Sequence, residues 1–279
     1  MRTVLRPDVR PRCVALIPAA GIGSRSGGAV AKQYLEVAGK PMIVRTIEAF
    51  AAVPAIERIV VVIAPDDAHF EHLALDDASA RLIHVERAGG VTRDASVSNG
   101  LDRLLGEIDD DDWILVHDAA RCGITPAMIA TLIETLRDDD VGGLLALPVA
   151  DTIKRAGRDG SGGRLGDRVG NRLGNIRDRA SVLETIDRSS LWQAQTPQMF
   201  RYRMLRDALA AAQRRGLSIT DEASAIEASG HCPRLVVGGA RNFKVTTADD
   251  LAMMDALLRA ELIALPTSPL KGEDFQSLR

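Results

Sequence analysis

The sequence has few cysteines, no long apolar run and almost no net charge. Its three cysteines, Cys13, Cys122 and Cys232, lie far apart and form no C-x-x-C pair. That excludes a disulfide framework and a zinc knuckle and predicts a reducing compartment, the cytoplasm. No apolar stretch reaches the ~20 residues needed to span a bilayer. The 35 basic and 38 acidic side chains leave a formal charge of −3. There is therefore no global field to draw in nucleic acid or an anionic membrane, and any anion site must be local. At 46% hydrophobic and 26% charged, the composition also excludes general disorder and a fibrous repeat. Arg2, Arg6, Arg10 and Arg12 precede no apolar core of a signal peptide, so residues 1–12 are expected to be a flexible basic arm. Residues 266–279, with Pro266, Pro269 and Gly272, are expected to be a flexible tail.

Within the 279 residues, short β-branched runs alternate with helical periodicity. This predicts an α/β fold with a mostly parallel sheet, as a single domain over residues 13–265. Strands are expected at Cys13 to Pro18, Arg58 to Ala64, Arg81 to Val85, Trp113 to His117, Gly142 to Val149, Arg234 to Val237 and Phe243 to Val245. Helices are expected at Met42 to Ala52, Asp66 to Leu75, Arg93 to Leu105, around Ile129 to Leu136, Arg201 to Arg214, Glu222 to Ser229 and Ala248 to Ala264. Between about residues 151 and 191 the rhythm breaks into a stretch rich in Gly and Arg that cannot build its own core, the pattern of a hairpin arm with a loose tip. The acidic runs Asp109 to Asp112 and Asp138 to Asp140 read as solvated turns. His69 and His72 stand one helical turn apart without a third ligand nearby, which favours a solvated face over a metal site.

The first strand runs into Pro18-Ala19-Ala20-Gly21-Ile22-Gly23-Ser24-Arg25, followed by Lys32-Gln33-Tyr34. Small residues after a strand let backbone N–H groups approach phosphate, and Arg25 and Lys32 add charge, so a nucleoside triphosphate is the expected ligand. Ser26 breaks a dinucleotide fingerprint, and Ala29 stands where a P-loop needs lysine. No Ser-His-Asp or Cys-His constellation is evident.

The P-A-A-G-x-G-x-R and K-Q-Y segments resemble the nucleotidyltransferases of Rossmann-like fold. Further segments narrow the resemblance: Gly89-Gly90-Val91-Thr92-Arg93-Asp94-Ala95-Ser96-Val97, His117-Asp118-Ala119-Ala120-Arg121, Asp151-Thr152-Ile153-Lys154-Arg155, Asp187-Arg188, Gln195-Thr196-Pro197-Gln198, Thr220-Asp221-Glu222-Ala223 and Lys244-Val245-Thr246. Their order resembles that of the 2-C-methyl-D-erythritol 4-phosphate cytidylyltransferase family. Ala31 and Cys122 stand where the family has proline, and the Gly/Arg-rich insertion after Arg155 is long for its arm.

The resemblance implies a Rossmann-like nucleotidyltransferase sandwich with a protruding β-arm. It also implies cytidylyl transfer from CTP to methylerythritol phosphate, with Mg2+ as the companion ion. Relatives acting on another polyol phosphate, such as ribitol 5-phosphate, share part of the pattern, and a non-catalytic nucleotide-binding module is the reading from another class. By the same resemblance Arg25 and Lys32 are the catalytic cations, and Ala19, Ala20, Gly21, Gly23, Gly90, Ser96, Asp118 and Lys244 bind CTP. Arg121, Thr152, Arg188, Thr196, Thr220 and Lys244 hold the acceptor, with the arm of one subunit serving its neighbour in a homodimer. Asp118 follows an expected strand, where open α/β sheets place ligands, and is open to a metal, ribose or acceptor role. Ser96 and Thr220 also fit plain helix-start positions.

Overall fold

The computed structural model describes residues 11–21, 31–158 and 180–263. The chain forms two compact units, one from Met1–Leu145 with Gln195–Arg279 and the other from Ala146–Ala194.

The first unit is organised by β1 (Cys13–Pro18), β4 (Ile56–Val62), β5 (Ile83–Glu86) and β6 (Trp113–Val116). β1 pairs in parallel with β4 on one side and β6 on the other, and β4 pairs in parallel with β5. With β7 (Gly142–Pro148), β10 (Trp192–Arg201) and β11 (Arg234–Val237) they form a seven-stranded sheet in the order β11-β7-β10-β6-β1-β4-β5. β10 runs antiparallel to β6. It was not legible as a strand, because Gln193, Gln195 and Gln198 interrupt its apolar residues. The strand order reverses direction at β1 and β6, which opens a crevice at their carboxyl ends.

Strand periodicity explains why the sheet is covered on both faces. Ala15 and Ile17 point into one apolar cluster with Ile43, Ile47 and Phe50 of α1 (Met42–Ala51) and Leu132 of α4 (Pro126–Leu136). Val14 and Leu16 point into the opposite one, with Val97 and Leu101 of α3 (Arg93–Arg103) and Leu205 of α5 (Tyr202–Arg214). A fully buried side chain of this kind contributes roughly 1.5–3 kcal/mol, so the alternation fixes both layers. Gly100 lets α3 sit close to the sheet: a β-carbon there would come within 2.7 Å of Val62 Cγ2 and 2.9 Å of Leu16 Cδ1. A third cluster joins the short hairpin of β2 (Glu36–Val37) and β3 (Lys40–Pro41) to Met254 and Leu258 of α7 (Ala248–Ile263).

Five local expectations need correction. The helix expected over Asp66 to Leu75 is a short 3-10 turn at Phe70–His72, followed by α2 (Asp77–Leu82). Asp67 accepts from the backbone N–H groups of His69 and Phe70, and Asp76 accepts from that of Ser79, so each aspartate opens its own turn. Arg81 accordingly ends α2, and β5 begins at Ile83. Residues 243–245 are not a strand; Val245 donates one backbone bond to Ala120, at 2.8 Å. The acidic turns are not simply solvated. Asp112 is 2% exposed and takes the Arg12 guanidinium, while Asp139 accepts from Val141 and Gly142. Arg12, expected in a flexible arm, is thus anchored at its side chain; the remainder of that arm through residue 10 and the tail 266–279 lie outside the described residues.

The second unit contains an antiparallel pair, β8 (Ile153–Arg158) with β9 (Ala180–Ile186), as expected for a hairpin. Arg155 pairs with Glu184 at 2.5 Å, and Lys154 donates to Thr185 at 2.7 Å. The tip expected to be loose falls almost wholly outside the described residues.

Candidate active site

The carboxyl ends of β1 and β6 gather most of the expected residues of the first unit. β1 delivers Ala19, Ala20 and Gly21. Gln33 donates its amide to the Ala19 carbonyl at 2.7 Å, which seats the 3-10 turn Lys32–Tyr34 against the end of this strand. Arg25 and Gly23 lie outside the described residues.

A second loop closes on the first. Gly89 donates its N–H to Ile63 O at 2.9 Å, and a β-carbon on it would collide with the Ala20 side chain. Thr92 caps α3 by accepting from Ala95 N. Ser96 lies one turn in, where its hydroxyl donates to Thr92 O and accepts from the N–H of Gly90, both at 3.0 Å. The hydroxyl therefore shapes the loop rather than opening the helix.

Asp118, immediately after β6, is the electrostatic hub. One of its oxygens receives Arg93 Nε at 2.6 Å and the other faces Lys244 Nζ at 2.8 Å. Arg121 Nε lies 4.0 Å away. Burial by itself would raise the Asp118 carboxyl, but Arg93 and Lys244 outweigh it and hold the group well below the usual carboxylate range. The two terminal nitrogens of Arg93 bind the buried Glu222 carboxylate at 2.7 and 3.1 Å. Burial alone would lower the Arg93 guanidinium; Glu222 and Asp118 instead raise it. Three cations, Arg93, Arg121 and Lys244, stand against two carboxylates, Asp118 and Glu222, so the balance of these five groups is positive, as an anionic ligand requires.

Thr196 comes beside Asp118 on β10 and is 4% exposed. Thr220 is exposed, and it is Asp221, not Thr220, that caps α6 (Glu222–Ala228). Gln198 links that cap to the sheet: it donates to Asp221 at 2.8 Å and accepts from Ala223 N at 2.7 Å. Thr152 and Arg188 belong to the second unit and are exposed there. His69 and His72 are exposed as expected, with His69 tilted against the Tyr34 ring at 5.2 Å.

Residues 13–260 match the family model described as 2-C-methyl-D-erythritol 4-phosphate cytidylyltransferase. The chain belongs to the 2-C-methyl-D-erythritol 4-phosphate cytidylyltransferase family. The cytidylyltransferase of that name from Burkholderia vietnamiensis is 51% identical over 254 residues, covering 90% of this chain and 97% of its own. The one from Paraburkholderia phytofirmans is 51% identical over 249 residues, covering 88% and 96%. Among solved structures, a 4-diphosphocytidyl-2C-methyl-D-erythritol synthase matches with a TM-score of 0.71 at 36% identity, covering 90% of this chain and 100% of that one. The cytidylyltransferase of Francisella tularensis matches with a TM-score of 0.67 at 30% identity, covering 88% and 99%.

The sequence signature of a cytidylyltransferase leaves Arg93, Glu222, His117 and Asn242 without a role. Arg93 and Glu222 stand inside the quoted motifs, so their signal was present as paired opposite charges, but nothing local links positions so far apart in sequence. Asn242 lies between motifs and left no signal.

Proposed function

We propose that the chain transfers the cytidylyl group of CTP to 2-C-methyl-D-erythritol 4-phosphate, giving 4-diphosphocytidyl-2-C-methyl-D-erythritol and pyrophosphate in non-mevalonate isoprenoid precursor biosynthesis. An oxygen of the acceptor phosphate attacks the α-phosphorus of CTP. The bond from that phosphorus to the bridging oxygen breaks, and pyrophosphate leaves with the electron pair. The attacking oxygen is already ionised near neutrality, so the protein needs no base; it must align two anions and offset the charge that builds on the α-phosphate. The observation that carries this reading is the meeting of Arg93, Arg121 and Lys244 around Asp118 at the switch point of the sheet.

In this proposal Arg25 and Lys32 stabilise the transition-state charge and the departing pyrophosphate. Gly90 and Ser96 lie along the cytosine, and Lys244 with Arg121 and Thr220 meets the acceptor. Mg2+ accompanies the triphosphate. The donors do not fit a metal site of the protein's own: among the described residues no three His, Cys, Asp or Glu form a metal-holding group, and both Asp118 oxygens already face cations. The substrate phosphates would then supply its ligands, leaving Asp118 to organise cations.

The proposal includes a homodimer in which Thr152 and Arg188 of one subunit serve the acceptor site of the other. Val182 and Leu183 on β9 support it, being 64% and 67% exposed, because a lone chain would leave this apolar pair in water. Among the described residues no helix is long and apolar enough to cross a membrane. The buried, unpaired thiols of Cys13 and Cys122, each pushed up to about 11 chiefly by burial, support a reducing cytoplasmic home.

Pyrophosphate release from CTP, measured with methylerythritol phosphate and with ribitol 5-phosphate, tests the function. Faster turnover with ribitol 5-phosphate contradicts the acceptor, and no release with either contradicts catalysis.

A further inference from the structure

Behind the hub lies a buried polar network with no part in the substrate assignments above except Thr196 and Arg121. His117 is fully buried, with Phe50 edge-on to its ring at 5.2 Å. Its Nδ1 lies 2.9 Å from Thr196 Oγ1 and its Nε2 lies 3.3 Å from the Arg121 carbonyl. Thr196 Oγ1 in turn lies 3.1 Å from the backbone nitrogen of Asp118.

A proton inventory fixes the direction of every bond. The Asp118 N–H can only donate, so Thr196 Oγ1 accepts. The Arg121 carbonyl can only accept, so His117 Nε2 carries a proton, and in a neutral ring Nδ1 is left as an acceptor. The single Thr196 hydroxyl proton therefore goes to His117 Nδ1. Burial favours the neutral ring, driving the imidazole down to about 3. Asn242, also fully buried, braces the far side: its side-chain nitrogen donates to Thr196 O at 2.7 Å, and its backbone carbonyl accepts from Arg121 Nη1 at 2.9 Å.

We propose that His117 is a positioning residue for cytidylyl transfer, acting through the Thr196 hydroxyl to fix the backbone of Asp118 and thereby the carboxylate that gathers Arg93 and Lys244. The inference rests on the proposed function. It assigns work to a histidine that touches no reacting atom and explains why a strand end needs a polar ring where an apolar one would pack. A displacement of about 1 Å at a reacting centre costs up to ~100-fold in rate, so a loosened Asp118 is read in kcat.

The test is steady-state kinetics on His117→Phe, His117→Asn, Thr196→Val and Thr196→Ser, beside a parent enzyme shown to be active, so that failure of the function itself is seen separately. His117→Phe and Thr196→Val are each expected to lower kcat between about 10-fold and 100-fold, with KM for both substrates within about threefold of the parent. His117→Asn, which places an acceptor near Nδ1, and Thr196→Ser, which keeps the hydroxyl, should recover most of the loss. The double variant His117→Phe/Thr196→Val should be no worse than the poorer single one. If His117→Phe fails to fold, the contrast between Thr196→Val and Thr196→Ser decides by the same criteria. Parental kcat in a folded His117→Phe enzyme, a raised acceptor KM at parental kcat in Thr196→Val, no recovery in Thr196→Ser, or singly multiplying losses would each overturn the proposal.

Discussion

Arg93 grips the Glu222 carboxylate with both terminal nitrogens, at 2.7 and 3.1 Å, across 129 residues of sequence. Its third nitrogen holds Asp118 at 2.6 Å, so one guanidinium ties the start of α3 to the start of α6 and to the end of β6. A single partly buried cation thus pairs with two carboxylates and joins three elements.

Glu222→Ala leaves that cation with one partner in place of two. Leaving an uncompensated buried charge typically costs about 3–5 kcal/mol; Arg93 keeps Asp118 and part of its solvent exposure, so urea unfolding should show a smaller loss, about 2 kcal/mol. A loss below about 1 kcal/mol would place the pair among surface contacts.

Gly89→Ala forces a β-carbon onto the Ala20 side chain and within 2.8 Å of the Ile63 carbonyl. The nucleotide loops must then part, at a cost of roughly 1–3 kcal/mol. We expect a higher KM for CTP with the acceptor KM little changed; steady-state kinetics with each substrate varied in turn checks it.

His117 carries an acid sensitivity. Its folded-state pKa lies near 3, against ~6.5 for the free imidazole. Because the unfolded chain binds the proton more readily, the stability is complete above about pH 6.5 and is lost as pH falls toward 3. At pH 5 the loss is about 2 kcal/mol. Of the 5 histidines the other four are exposed. Unfolding measured at pH 7.5 and pH 5 should show this drop in the parent and a smaller one in His117→Asn; equal drops would assign it elsewhere.

Much of the fold was legible because its signal is local. β1 and β11 have the expected bounds, since continuous β-branched or apolar runs between polar turns allow little else. α1, α3 and α5 begin within a residue of expectation, fixed by apolar spacing. The region around Asp67 misled because its spacing is helical while the aspartate side chain captures the backbone N–H groups that a helix would leave free. Asp112 misled for a different reason: its partner Arg12 is 100 residues away, so an acidic run that looks solvated hides one buried ion pair. The site shows the same division. Loop letters announced Ala19 to Gly21, Gly90 and Asp118, whereas the links among His117, Thr196 and Asn242 exist only once β6 and β10 are neighbours.

The proposed exchange of arms makes a complementation prediction. Lys32→Ala and Arg188→Ala subunits, each inactive alone, should regain activity on mixing, because a mixed dimer holds one intact site. Mixed dimers shown to form without recovery would contradict the exchange.

The proposed reaction depends most on cations stabilising charge in the transition state, and kcat of Lys32→Ala with CTP and methylerythritol phosphate tests that most directly. Removing one such charge costs roughly 100-fold or more, so kcat should fall by at least about that factor while the melting temperature stays at the parental value. A kcat within a few-fold of the parent would contradict it.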